Sequence, residues 1–391
     1  MSGINKCDWL GICFNMMSDY IPEFFYTSED TVKFRSVITH IEIIGNYLYN
    51  ETATNDKIAE YYSAAGVGHK EISNYDTALD YYFKAVTIRK NNNSTIKLGL
   101  VYNNIAVVYS HKTKYKLALE YYFKSLEISE KYNASATDLA VSYNNLAITY
   151  MKCTVYDKAA EWNSKSIELL ADNSITDKLI NADVLITKST LYYINERFEE
   201  ALELDFEALN ILQKSLPEEH SDIASVYNSI AREYFMLKNY TTALDYYLKA
   251  HKIYESVYGE NDTDTAEICG SISITYSKMK KYNLALDWCL KALQAQEAVF
   301  GNEHPEVILR YSFISDLYEE LEMFDEVIVY MLKTLDFLFK NSHSDKLDEA
   351  VKSVYSRISD CYRKLNIPEK SAEYLKKLSE MGERNEQKCK N

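Results

Sequence analysis

The chain has 391 residues, of which 47% are hydrophobic and 26% are charged, and its formal net charge is −15. A field of this sign repels polyanions, so the composition argues against nucleic acid as a ligand. The sequence contains no apolar run of 18 or more residues and therefore predicts no membrane span and no membrane partner.

Residues 1–56 lie outside the regular pattern that occupies the rest of the chain. The stretch from Val32 to Tyr49 has helical periodicity. It predicts the second helix of a degenerate leading unit, so we expect residues 1–56 to form an N-terminal helical cap. The alternative is a small pair of effector helices carried by the rest of the chain.

From residue 57 onward one small residue recurs at near-constant spacing, and we call it the reference residue of each unit. The steps between successive reference residues are 40, 41, 42, 42, 42, 42 and 44 residues. An aromatic residue stands three positions before it in seven of the eight units, and a tyrosine stands nine positions before it in seven. The reference residues are Ala78, Ala118, Ala159, Ala201, Ala243, Ala285, Val327 and Ser371.

The spacing of apolar residues around each reference residue predicts the fold. Around Ala118 they recur with helical period, so one stripe of the helix faces a neighbour. A small reference residue lets two helices approach closely, and no unit can bury its stripe alone, so the units must stack. The sequence therefore predicts an all-α fold, a right-handed α-solenoid of about eight helix pairs over residues 57–381. We expect a disordered tail at residues 382–391.

Three units carry closely similar motifs: Tyr102-Asn103-Asn104-Ile105-Ala106, Tyr143-Asn144-Asn145-Leu146-Ala147 and Tyr227-Asn228-Ser229-Ile230-Ala231. Later units are separated by the breaks Tyr258-Gly259 and Phe300-Gly301. Together with the step of 42 residues, these features resemble the tetratricopeptide repeat (TPR) of the kinesin-light-chain type. The resemblance implies helix pairs whose first helices line a concave groove, with a protein or peptide as the partner bound there.

The resemblance also implies which positions face the groove, namely those 15, 14, 11, 8 and 7 residues before the reference residue. Asparagine amides at these positions offer donors and an acceptor that match one peptide group, so a column of them is suited to hold an extended backbone. The alternative is that these amides bond neighbouring helices. The predicted groove residues are Asn103, Asn104, Val107, Asn144, Asn145, Ile148, Asn228, Arg232 and Lys278.

Motifs of catalysis are missing from the sequence. We find no nucleophile motif, no glycine-rich phosphate loop and no metal-ligand spacing. We therefore expect a protein that is not an enzyme, with no catalytic residue, no metal site and no cofactor. The seven cysteines are scattered without a Cys-x-x-Cys motif, which favours reduced thiols and a cytoplasmic protein. The sequence leaves the oligomeric state open.

Three functional hypotheses fit these observations. The first is a protein–protein interaction scaffold that binds an extended segment in the groove. The second is a peptide-responsive regulator whose N-terminal helices form the output surface. The third is a non-catalytic sensor subunit of a separate enzyme. They differ in residues 1–56, because a scaffold needs only a packed cap there, whereas a regulator needs an exposed and separable face.

Overall fold

The structure is a computed structural model, and it describes residues 56–91, 95–171, 178–341 and 345–390. These residues form sixteen α-helices and no strand. Of the predicted N-terminal cap, residues 1–56, only Asp56 lies within the described residues, where the first helix begins. None of the helices in these ranges is long and apolar enough to cross a membrane.

The helices fall into two compact units that divide between Glu233 and Tyr234. The first unit contains α1 (Asp56–Glu71), α2 (Tyr75–Asn91), α3 (Thr95–His111), α4 (Tyr115–Lys131), α5 (Ala136–Lys152), α6 (Tyr156–Leu170), α7 (Lys178–Ile194) and α8 (Phe198–Ser215), and the division falls within α9 (Ser221–Met236). The second unit contains α10 (Tyr240–Tyr258), α11 (Thr263–Lys278), α12 (Tyr282–Phe300), α13 (Pro305–Glu320), α14 (Phe324–Asn341), α15 (Asp345–Lys364) and α16 (Pro368–Lys390).

Successive helices pack against one another from α1 to α8 in the first unit and from α10 to α16 in the second. The predicted all-α repeat of stacked helix pairs is therefore confirmed. Its handedness and the exact number of pairs stay predictions.

The reference residues lie where the two helices of a pair meet. Seven of them are fully buried, and Ser371 is nearly so. Beside them, the tyrosine nine positions earlier stacks on the ring three positions later, with ring centroids 5.6 Å apart for Tyr109 and Tyr121 and 5.8 Å apart for Tyr318 and Tyr330. The small residue thus permits close approach, and the rings fill the space next to it.

The turn inside each helix pair that the structure describes has the same backbone conformation, at eight places along the chain. The residue five positions before the reference residue is left-handed, with φ between 56° and 62°. The next backbone N–H donates to the carbonyl nine positions before the reference residue at 2.8–3.0 Å. This is the bond of a Schellman motif, which satisfies a carbonyl at the end of the first helix. The left-handed residues are Ser73, Thr113, Thr154, Glu196, Lys238, Lys280, Glu322 and Asn366.

Helix α16 continues to Lys390, through the stretch 382–390 that the sequence predicted to be a disordered tail. Glutamate, arginine, glutamine and lysine dominate this stretch, and all four are good helix formers.

Candidate functional site

Six of the nine predicted groove residues lie on the first helices of two neighbouring pairs, α3 and α5. Residues three or four positions apart share one face of a helix, which groups Asn103 and Asn104 with Val107, and Asn145 with Ile148. These five side chains are half-buried. They form a patch of amides beside apolar side chains, which we call the asparagine patch.

A hydrogen bond crosses the asparagine patch from α5 to α3. The amide nitrogen Nδ2 of Asn145 donates to Oδ1 of Asn103 at 3.2 Å. This hydrogen bond joins two neighbouring helices, as the alternative interpretation of the asparagines predicted. It uses only one polar atom of each amide. The Nδ2 of Asn103 and the Oδ1 of Asn145 are left without a partner among the described residues. A donor and an acceptor therefore remain side by side, which is what one peptide group requires.

Asn104 lies next to this bonded pair on α3. Its half-buried amide makes no side-chain hydrogen bond with the described part of the chain. Because a partly buried amide without a partner is costly, Asn104 is suited to a partner that is not part of this chain or to water.

Asn144 does not belong to the asparagine patch, and its prediction as a residue facing a solvated groove is corrected. Its side chain is buried, with 5% exposed, on the same face of α5 as Ala140 and Ala147. Successive residues of an α-helix point about 100° apart, so Asn144 turns inward while Asn145 turns outward. The buried Oδ1 of Asn144 has no hydrogen-bond partner among the described residues.

Asn228 and Arg232 lie on α9, both half-buried. The Arg232 guanidinium stacks over the ring of Tyr193 on α7, with its Cζ 4.4 Å from the ring centroid. This stacking holds the guanidinium plane, and the buried Nε of Arg232 has no hydrogen-bond partner among the described residues. Arg232 is thus a positioned cation rather than a flexible surface charge.

Lys278 is exposed at the end of α11 and lies in the second unit. The other eight predicted residues lie in the first unit. The structure therefore brings together the patch on α3 and α5, whereas Lys278 is a charge of the second unit.

A cluster of buried acids lies in the fourth repeat, where no site was predicted. Asp205 on α8 and Glu233 on α9 are fully buried, and Ser189 on α7 donates its hydroxyl to Oε1 of Glu233 at 3.2 Å. The Asp205 carboxyl interacts with both Ser189 and Glu233. Burial raises the pKa of both carboxyls, and their mutual repulsion raises the pKa of Glu233 further, while Arg232 weakly opposes both shifts. Two carboxyls this close do not both ionise, so the pair holds a proton.

A sequence signal for this cluster exists in the repeat columns. Four positions after the reference residue, other repeats carry Tyr82, Tyr122, Asn163, Tyr247, Cys289 and Met331, whereas the fourth carries Asp205. An acid in a column of large or neutral side chains predicts a buried charge. Its partner Glu233 comes from the next repeat, which no single column reveals.

The second helices carry a regular row of lysine–aromatic contacts. In seven repeats the lysine six positions after the reference residue lies over the ring three positions after it, with Nζ 4.0–4.8 Å from the centroid. The fourth repeat breaks the row with Leu204 and Glu207. Several of these lysines also pair with a carboxylate four residues earlier, as Lys165 does with Glu161 at 2.8 Å. The row therefore stabilises helices and does not present free positive charge.

Comparisons with known proteins agree with this architecture. The family described as tetratricopeptide repeat matches residues 97–172, 180–256 and 222–288. A search of curated proteins found no match.

Solved structures with the same fold include three with a role in their descriptions. The chain is similar to a Rap protein complexed with competence and sporulation factor (14% identity, TM-score 0.56, covering 97% of this chain and 98% of that chain). It is similar to the apo form of the quorum sensor NprR from B. thuringiensis (14% identity, TM-score 0.55, 96% and 99% covered). It is also similar to a signal transduction ATPase with numerous domains and a TPR sensor from Pyrococcus horikoshii (15% identity, TM-score 0.60, 89% and 53% covered).

At these identities the likeness concerns the fold, and the repeat sequence supplies the family. Repeat spacing, helix pairing and the match to the repeat agree over the same helices. The chain belongs to the tetratricopeptide-repeat family, whose repeats serve as protein-interaction scaffolds.

Proposed function

We propose that the chain is a non-catalytic scaffold that binds an extended peptide or partner segment across the asparagine patch of α3 and α5. The observation that carries this proposal is the bonded pair of Asn145 and Asn103, which leaves one donor and one acceptor next to each other. The pair is held by its own hydrogen bond, so little side-chain freedom is lost when a ligand binds.

The chemistry of recognition follows from the remaining amide groups. Asn103 Nδ2 donates to a peptide carbonyl, and Asn145 Oδ1 accepts from a peptide N–H. Asn104 adds a further amide, and Val107 and Ile148 supply apolar contact beside it. Arg232 adds a positioned positive charge on α9 of the same unit, which favours an acidic end on the bound segment.

Two of the buried thiols are unsuited to nucleophilic catalysis. Burial raises the pKa of both Cys269 and Cys289 to about 11. Thiols of this kind stay protonated and are poor nucleophiles.

The test uses the full chain and peptides selected on it from an unbiased display library. Affinities are then measured by calorimetry for the wild type, the double variant Asn104→Ala/Asn145→Ala and the control Asn283→Ala. Asn283 is exposed on the second helix α12 and belongs to no part of the patch. The double variant removes about one hydrogen bond per amide, two in all, at about 0.5–1.5 kcal/mol each, so we expect affinity to fall about 5- to 150-fold.

The control should bind as the wild type does. Unchanged affinity in the double variant, with its helical signal intact, would place the binding surface elsewhere on the chain and refute the proposal.

A second candidate is a peptide-responsive regulator. It is favoured by the likeness to Rap and NprR, which covers 96–97% of this chain. The distinguishing measurement is hydrogen exchange with and without a selected peptide. A regulator shows a change of protection in residues 1–56, outside the patch, whereas a plain scaffold shows changes only at the patch.

A further inference from the structure

The second unit contains a cavity of about 130 Å³ between α10, the loop that follows it, α11 and α12. None of the predicted groove residues lines it. Most of its lining residues have polar or charged side chains; they are His251, Glu255, Glu260, Asn261, Thr265, Cys269, Lys291 and Gln294.

Three buried side chains form the inner wall of this cavity. Thr265 is 2% exposed, Cys269 is 4% exposed and His251 is 8% exposed. The Oγ1 of Thr265 is buried and has no hydrogen-bond partner among the described residues. A nearby hydroxyl shows the usual solution, since Thr275 on the same helix donates to the carbonyl of Ser271 at 2.7 Å. Thr265 therefore has a buried hydroxyl whose hydrogen-bond partner the described part of the chain does not supply.

The charged side chains lie at the rim. Glu255 and Glu260 are exposed carboxylates, and the Nδ1 of His251 lies 3.9 Å from Oε2 of Glu255. The one lysine of the lining, Lys291, has its Nζ 4.6 Å from the ring centroid of Trp288, so its charge is directed at that ring. With two carboxylates and one lysine, the rim is negative on balance.

The inner wall is rich in neutral acceptors. His251 packs edge-on against Trp288, with ring centroids 4.9 Å apart. Burial lowers the pKa of His251, although Glu255 opposes this shift, so the imidazole is neutral and one of its nitrogens is an acceptor. The Thr265 oxygen is a second acceptor. A ligand for these walls must bring several N–H donors and a positive charge.

We propose that this cavity binds an organic cation with several N–H donors, a guanidinium or ammonium group. The group would donate to the carboxylates of Glu255 and Glu260 and to the oxygen of Thr265. A volume of about 130 Å³ has room for a group of several heavy atoms, because one water needs only about 10–15 Å³ on the same measure.

Two other ligand classes fit less well. An anion would face two carboxylates across the rim and one lysine held over an indole ring. A metal ion needs several strong ligands at once, and within the described residues no group of three His, Cys, Asp or Glu side chains is placed to hold one.

The cation has two possible sources with the same chemistry, a free small molecule or an arginine or lysine side chain of a partner. Calorimetric titration of the full chain with methylguanidinium chloride probes the first source. Titration with acetyl-Gly-Arg-Gly-amide probes the second. Methylurea is the matched neutral probe, since it keeps the shape of methylguanidinium and lacks its charge.

Three variants complete the test. Glu255→Gln removes a charged acceptor from an exposed position and should weaken methylguanidinium binding about 10- to 150-fold. Thr265→Val removes the unpartnered hydroxyl at nearly constant volume and should weaken it about 2- to 12-fold. Thr275→Val is the control, because Thr275 is buried on the same helix but does not line the cavity.

Saturable binding of methylguanidinium at one site, reduced in the first two variants and unchanged in the control, supports the proposal. Tighter binding of the arginine peptide identifies a partner side chain as the source, and tighter binding of methylguanidinium identifies a free compound. Equal binding of methylurea, full binding by Thr265→Val, or no saturable binding of either cation overturns it. Thr265→Val should fold at least as well as the wild type, since it removes a buried hydroxyl without a partner.

Discussion

Replacing glycine by alanine at two helical positions should have opposite effects on stability. Gly66 lies in α1 and Gly270 lies in α11. A Cβ added at Gly66 would lie 2.5–2.9 Å from three ring atoms of Tyr82, which is fully buried. A Cβ added at Gly270 would lie 2.7 Å and 2.8 Å from the terminal nitrogens of Arg310. The first neighbour is a ring locked in the core, and the second is the end of a long, half-buried side chain.

The expected magnitudes follow from two opposing effects. Alanine stabilises a helix interior by about 1 kcal/mol relative to glycine, and this gain is the same at both positions. Overpacking a core costs about 1–3 kcal/mol, and it applies only where the neighbour is unable to move. We therefore expect Gly66→Ala to lower the free energy of unfolding by about 0–2 kcal/mol. Gly270→Ala should leave it unchanged or raise it by up to about 1 kcal/mol, and the two variants should differ by about 1–3 kcal/mol.

Urea unfolding followed by circular dichroism measures the free energies, and native-state hydrogen exchange assigns each change to a helix. The second measurement is needed because a long repeat array need not unfold in one step. Faster exchange should appear in α1 and α2 for Gly66→Ala only. Equal stabilisation by both variants would mean that Tyr82 moves aside freely, which would refute the reasoning from close packing.

Three further predictions follow from buried groups and the repeat columns. Because the folded state raises the pKa of Glu233, the free energy of unfolding should fall as pH rises from the ordinary glutamate range toward the raised value. Glu233→Gln keeps a donor and an acceptor, so it should flatten this loss in urea unfolding measured from about pH 5 to pH 9, and an unchanged profile would contradict a shared proton. Ala243→Trp should cost about 1–3 kcal/mol or more, whereas Asn228→Ala should stay within about 0.5 kcal/mol; similar losses of melting temperature would make Asn228 structural. In the native protein, half-buried Cys153 should react with a thiol reagent before the buried cysteines, as peptide mass spectrometry will show, and simultaneous reaction would imply wide opening of the core. The buried cysteines are Cys269, Cys289 and Cys361.

The sequence by itself determined that the described residues form helix pairs. It also determined the position at which the two helices of each pair are in contact. Both are local properties, since a helical period and a small residue at Ala118 or Ala243 need only neighbours within the same unit to be recognised. The repeat made the signal stronger because the same columns recur along the chain. The column of tyrosines is regular in the sequence, and the structure places these rings in stacked pairs beside the reference residues.

Tertiary structure alone decided which polar side chains are buried and which are available. Asn144 and Asn145 have the same chemistry and adjacent positions, yet one lies in the core and the other bonds Asn103, because α5 turns by about 100° per residue between two neighbours. The pairing of Asp205 with Glu233 depends on two repeats meeting. The cavity beside Thr265 depends on three helices and a loop. The hydrogen bonds and ionisation of these side chains depend on several segments that meet only in the folded structure. The sequence of one segment therefore does not predict them.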